Sequence, residues 1–223
     1  MLEELIVLAD ESERATALYE GASLRDIEEV ESSIGTVFPP ELKNLYMEAN
    51  GETGKLLFSK HLLRQIFEPF DFLSLSRMVD SHKLHREAYP YYFGELNCCP
   101  NEYIKNEFFN SKWIPFGQAD GGIYLAVDMD PDKKGQYGQV IMYGADALPI
   151  YCVLSPDLNA FIKSVSLHLT HVLQNRKLIG NVELYDDYQN MAYEFYESGK
   201  WCNYSPDEYS LLLNSGDLPF WHK

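Results

Sequence analysis

The sequence predicts an α+β chain, in which helices and antiparallel strands are segregated along the sequence. Three observations carry that reading. Leu24, Ile27, Val30 and Ile34 recur at spacings of three and four, which marks an amphipathic helix. Ile123, Leu125, Val127 and Met129 alternate with Tyr124, Ala126 and Asp128, the period of two that marks a strand. Around that strand, over residues 113–154, similar runs are joined by short polar links, which favours antiparallel pairing.

Taken in order, residues 2–20 read as a helix with no strong start signal. Ser23 is suited to cap the next helix, and Asp26 places a carboxylate where the helix N-terminus favours it. Phe38-Pro39-Pro40 stops that helix and starts another, with Pro40 in its first turn. Leu42, Leu45, Tyr46 and Ala49 form one stripe, and Asn50-Gly51 ends the helix through a left-handed backbone. Lys55–Phe58 reads as a short strand. Leu62–Phe67 and Leu73–Leu84 are apolar but irregular, the second able to continue as a helix to Ala88, and Pro90–Pro100 reads as a Tyr-rich loop.

Trp113-Ile114-Pro115-Phe116-Gly117 is apolar, and its proline confines it to a sheet edge or a strand end. Gln118–Gly122 and Pro131–Gly138 supply turns, and Gln139–Tyr143 and Ile150–Leu154 are two further strands. Ser155-Pro156-Asp157 opens a helix whose stripe is Leu158, Phe161, Ile162, Val165 and Leu169. After Arg176 the pattern changes. Val182–Glu197 and the segment from Ser205 to Leu213 both read as helices. The expected division is an α+β domain over residues 1–174 and a helical C-terminal extension over 175–223, packed on it.

Composition narrows the function. With 223 residues, 46% apolar, 23% charged and 14% aromatic, the chain has the material for a core, which excludes wholesale disorder. Its 18 basic and 34 acidic side chains leave a net charge of -16. Nucleic acid needs cations that displace counterions from phosphate, so no nucleic-acid partner is expected. Anionic membrane surfaces are disfavoured for the same reason. A basic protein is attracted instead, and its association accelerated. Residues 1–50 alone carry 12 acidic against 3 basic side chains. Such a run suits a solvated helix face and equally a docking field for a cationic partner.

Cys98, Cys99, Cys152 and Cys202 form neither a zinc framework nor a disulfide scaffold, as thiols idle in a reducing compartment would. The N-terminus lacks a basic n-region, and no run approaches the roughly twenty apolar residues of a membrane span. A cytoplasmic, soluble protein is expected.

Chemistry-bearing patterns are sparse. Asp128-Met129-Asp130-Pro131-Asp132 opens like a calcium loop, but Lys133 stands where that loop needs Gly and Gln139 where it needs a bidentate Glu. Gly121-Gly122 and Gly135 with Gly138 fit turns rather than phosphate cradles. His82 and His85, like His168 and His171, share helical spacing without a third ligand, and read as surface or partly packed residues alongside His61 and His222. No nucleophile signature is present, so no catalytic residue, metal or cofactor is assigned.

An ordered set of segments adds to this. Ser23–Gly35, Phe38-Pro39-Pro40-Glu41-Leu42-Lys43-Asn44-Leu45-Tyr46, Asn50-Gly51, Trp113–Gly117, Gly121–Asp128, Gly138–Ile141 and the helix near Leu158–Leu169 together resemble the SUKH superfamily, over roughly residues 20–172. That superfamily contains the fungal cell-wall-synthesis regulators and many bacterial relatives. The resemblance implies a twisted, largely antiparallel sheet with helices packed on it. For bacterial members it implies a non-catalytic immunity protein, which binds and neutralises a cognate toxin domain, often a nuclease, in the producing cell. For fungal members it implies a scaffold or regulator of cell-wall signalling. The length and the lack of low-complexity tracts favour the bacterial kind.

Within the resemblance, Trp113, Pro115, Phe116 and Gly117 have a structural role. Asp120, Asp128, Asp130, Asp132 and Asp146, on loops and strand ends, are candidate partner contacts, with a solvated turn as the alternative. Glu28, Glu29 and Glu31 face away from the apolar stripe and join them. Tyr91, Tyr92 and Phe93 suit an interface anchor or the core equally. The oligomeric state is left open.

Overall fold

The computed structural model describes residues 17–53, 70–88, 97–99, 102–119, 122–144, 150–163 and 166. The strand expected at Lys55–Phe58, the apolar run Leu62–Phe67, and the extension over 175–223 lie outside these residues. So do most of the first expected helix and the candidates Tyr91, Tyr92, Asp120 and Asp146.

The first described element is a strand. β1 (Ala17–Leu18) pairs antiparallel with β2 (Glu52–Thr53), where a helix had been expected. Its continuation finds backbone partners outside itself: the Tyr19 N–H donates to the Gly51 carbonyl and the Ala22 N–H to that of Tyr46. Helix α1 (Leu24–Ile34) then starts at a full capping box, in which the Ser23 hydroxyl accepts from the Asp26 N–H and the Asp26 carboxylate accepts from the Ser23 N–H. It ends at Gly35, which is left-handed. Ile27 and Ile34 are buried and Val30 is partly buried, as the stripe predicts; Leu24 stays 56% exposed.

Helix α2 (Pro40–Glu48) buries Leu42, Leu45 and Tyr46, and ends on Ala49 in an extended conformation. Asn50 and Gly51 therefore do not close it. They reach across to α3 (Leu75–Ala88), where the Asn50 carboxamide accepts from the Leu75 N–H at 2.9 Å. Gly51 has φ +88°, and a Cβ there would lie 2.5 Å from the Ser74 nitrogen. Glu52, buried, accepts from the Phe72 N–H at 2.7 Å. Residues 50–52 thus satisfy backbone groups along β3 (Phe70–Phe72) and the start of α3.

β3 is one edge of a six-stranded sheet. The remaining strands are β4 (Asn97–Cys99), β5 (Trp113–Ala119), β6 (Ile123–Asp128), β7 (Gln139–Gly144) and β8 (Ile150–Ser155). The order is β3-β5-β6-β7-β8-β4; all neighbours are antiparallel except β4, which runs parallel to β8. The α+β class and the largely antiparallel sheet are therefore as the sequence predicts. β4 falls inside the expected Tyr-rich loop; its partner strand is some fifty residues away, and no local pattern announces the pairing.

β5 is an interior strand, contrary to the edge or end expected of a segment containing proline. Two features accommodate Pro115. The register slips between Pro115 and Gly117, and β3 covers only Gly117–Ala119. Every residue of β6 is buried, so both faces of the sheet are covered there rather than one. On one face Tyr124 meets His85 of α3 with ring centroids 4.3 Å apart; Phe161, in the helical residues 158–163, meets Phe116 at 5.8 Å. That last helix is capped by Asp157, whose carboxylate accepts from the Ala160 N–H, and not by Ser155.

Candidate partner-binding surface

The expected partner contacts fall into two groups. The first is the β6–β7 turn. Asp128 ends β6 opposite Trp113 and is fully buried. Its carboxylate accepts from the Asp130 N–H and from the Gln139 side-chain amide, both at 2.9 Å, while Gln139 also donates to the Tyr103 carbonyl. The Trp113 indole N–H, buried beside this carboxylate, makes no hydrogen bond of good geometry. Burial pushes Asp128 up to about 6, against the lowering effect of those donors. A carboxylate with no exposed surface holds the turn together and offers a partner nothing in this conformation, which corrects its expected place among the contacts.

Asp130 and Asp132 lie further along the same turn, half-buried. Asp130 pairs with Lys105 at 2.6 Å and accepts from Asn110, and these two bonds hold its carboxyl below the usual range. Glu102, at φ +69°, pairs with Lys134 at 2.6 Å and is lowered by it. The turn is therefore cross-braced to residues 102–112 and close to neutral. Over 102–112 and 128–139 there are five acidic side chains and four lysines.

The second group is on α1. Glu28 and Glu29 are exposed, Glu29 pairing with Arg25 along the helix. Glu31 is mostly enclosed: it pairs with Lys43 of α2 at 2.8 Å and accepts from the Phe38 N–H. It ties α1 to α2. Among residues 17–53 there are eight acidic side chains against two basic ones, Arg25 and Lys43, both already paired. Among the described residues the uncompensated negative charge thus sits on the α1/α2 side, not on the turn. Residues 110–112 lie between the two groups: Lys112 donates to the Gly35 carbonyl at 2.7 Å, and Asn110 holds Asp130.

The Trp113, Pro115, Phe116 and Gly117 motif is buried throughout. Trp113 packs against Tyr143 and Tyr151, and Gly117 leaves room for Leu125, which a Cβ would meet at 3.0 Å. The two histidines of α3 are buried too, where surface or partial packing had been expected. The His82 Nε2–H donates to the Ser111 carbonyl, and the His85 Nδ1 lies 3.0 Å from the Tyr143 hydroxyl. Burial lowers both, His85 to about 4, so both are neutral at pH 7. Those partners are 29 and 58 residues away, beyond the reach of helical spacing. The Cys98 thiol, pushed up to about 11 by burial and the nearby Asp132, is protonated at neutral pH and a poor nucleophile. Among the described residues, no helix is long and apolar enough to cross a membrane.

The ordered motifs thus sit on an α+β fold with a largely antiparallel sheet, the architecture the SUKH resemblance implies. The model of the SMI1 / KNR4 family (SUKH-1) matches residues 21–164, and the chain belongs to that family. The match leaves residues 165–223 uncovered. The chain is 25% identical over 159 residues to a glucan synthesis regulatory protein of Neurospora crassa, covering 58% of this chain and 30% of that protein. It is 24% identical over 150 residues to the cell wall biosynthesis/cell cycle regulator smi1 of Schizosaccharomyces pombe, covering 60% of this chain and 28% of that protein. The match thus spans about three tenths of these relatives' length. They are named as regulators, not as enzymes.

Proposed function

We propose that this chain is a non-catalytic immunity protein that binds a basic toxin domain and neutralises it in the cytoplasm of the producing cell. The observation that carries the reading is the excess of exposed carboxylates on α1, α2 and the segment before them, where Glu20, Asp26, Glu28, Glu29 and Glu48 stand against Arg25 and Lys43. Such a field draws in a cationic protein and excludes polyanions. A toxin that holds nucleic acid is cationic for its own reasons, so a nuclease is one class that fits. Coexpression tests this. The toxin-like domain encoded nearest this gene is produced with and without this chain. Rescue of growth, with a stoichiometric complex weakened by salt, supports the reading; no rescue and no complex overturns it.

A second reading is favoured by the relatives' names. On it, the domain is a protein-binding regulatory module of the cell-wall-synthesis type, and its partner comes from the cell's own wall-building proteins. Both readings need a protein partner and no catalysis. They part on whether the partner is a toxin.

A further inference from the structure

The stripe on α1 predicts a buried Leu24, yet Leu24 is 56% exposed. Two further exposed apolar residues, Tyr19 and Met47, lie on the segments that meet just before it. Residues 19–22 run along the end of α2, with the Tyr19 N–H on the Gly51 carbonyl and the Ala22 N–H on that of Tyr46. Gly21 lies so close to α2 that a Cβ there would sit 1.9 Å from the Met47 carbonyl oxygen. Tyr19 and Met47, which flank this junction, are 48% and 39% exposed. Leu24 follows two residues after Ala22. Carboxylates outnumber cations around these residues: Glu20 adjoins Tyr19, Glu48 adjoins Met47, and Glu28 lies one turn from Leu24 on the same helix face, while Arg25, next to Leu24, and Lys43, one turn from Met47, are paired with Glu29 and Glu31. Isolated exposed apolar residues need no explanation, but several on one junction, with an excess of carboxylates around them, have the form of a protein-binding surface.

We infer that the α1/α2 junction, with Tyr19, Leu24 and Met47 as anchors and Glu20, Glu28 and Glu48 as rim, docks a basic amphipathic helix of the partner protein. This rests on the protein-binding reading above and gives it a location. Charge selects the occupant. A second copy of this chain would bring like carboxylates together, whereas a helix with lysines and arginines beside apolar side chains satisfies both parts of the surface. The close-packed Gly21 junction holds the anchors in fixed relation, which lowers the ordering cost of binding.

The Leu24→Asp variant separates the two contributions. Leu24 occupies the first helical position, where a carboxylate suits the helix dipole, so the fold tolerates the change. The variant adds negative charge while removing an anchor. The probe is a synthetic amphipathic helical peptide with Lys and Arg on one face and Leu and Phe on the other, alongside a scrambled peptide of the same composition. The wild-type chain should prefer the ordered peptide. Leu24→Asp should bind it roughly tenfold more weakly despite its extra charge. Met47→Gln should also weaken it, and Tyr137→Ser, on the 64% exposed turn tyrosine, should not.

Binding by Leu24→Asp as tight as wild type would overturn the inference. So would equal loss in Tyr137→Ser, no preference for the ordered peptide, or wild-type self-association that Leu24→Asp abolishes. Growth rescue keeps the two proposals apart. If Leu24→Asp and Met47→Gln rescue as well as wild type, the surface is wrong and the immunity reading stands. If wild type itself does not rescue, the immunity reading falls and the peptide result still decides the surface.

Discussion

Two buried groups make stability depend on pH in opposite senses, and substituting each unmasks the other. Burial raises Asp128 from 3.8 to about 6. Its contribution is then fully present below pH 3.8 and is lost as pH rises through 6. The rise from 3.8 to about 6 corresponds to about 3 kcal/mol. His85 is lowered from 6.5 to about 4. Its contribution is present above pH 6.5 and is lost as pH falls from there toward 4. That shift corresponds to a further ~3 kcal/mol of opposite sign.

Over pH 4 to 6.5 the two nearly cancel in the wild-type chain. Asp128→Asn removes the first and His85→Asn the second, each keeping a polar atom near the original position. Urea unfolding of the three proteins across this range gives the difference curves. Wild type minus Asp128→Asn should fall by about 3 kcal/mol as pH rises, and wild type minus His85→Asn should climb by a similar amount. Taking differences removes the depressed Asp26 and Glu102, which are common to all three; His82, which faces His85, and Asp130, which faces Asp128, stay within the respective curves. A flat Asp128 curve, or one that climbs with pH, would refute the reasoning. It would mean that the hydrogen bonds from Asp130 and Gln139 outweigh desolvation.

Other substitutions probe the packing by urea unfolding. Gly51→Ala forces a side chain into a left-handed backbone and against Ser74, and should destabilise by more than ~1 kcal/mol. Tyr46→Phe removes the hydroxyl that donates to the buried Leu73 carbonyl at 2.9 Å, and should cost about 1–3 kcal/mol with the fold retained. Trp113→Ala opens a cavity among Tyr143, Tyr151 and β6, and should cost about 3–5 kcal/mol.

The local elements were legible wherever their causes are local. The Ser23–Asp26 capping box, the Gly35 terminus and the apolar stripes of α1 and α2 depend on neighbours within a turn or two. The β6 alternation marks a strand, but not that Tyr124 and Asp128 are covered as well as Leu125, because the cover comes from elsewhere: His85 of α3 for Tyr124, and Gln139 for Asp128. Asn50 and Gly51 read as a helix terminator, and their partners are 25 and 23 residues on, at Leu75 and Ser74. The acidic character of the first fifty residues could be read directly. Which carboxylates are spent internally could not: Glu31 on Lys43, Glu52 on Phe72 and Asp130 on Lys105 are all tertiary ties.

The central claim, that this SUKH domain captures a basic protein through the acidic, apolar-centred side of α1 and α2, is tested most directly by one titration. The toxin-like domain encoded nearest the gene is titrated with the wild-type chain and with a Glu20→Lys, Glu28→Lys variant, each at low and high salt. The expected result is a one-to-one complex that weakens with salt, and a variant that binds more weakly and loses most of that salt dependence. A wild-type complex indifferent to salt, or a variant that binds as well as wild type, would contradict it.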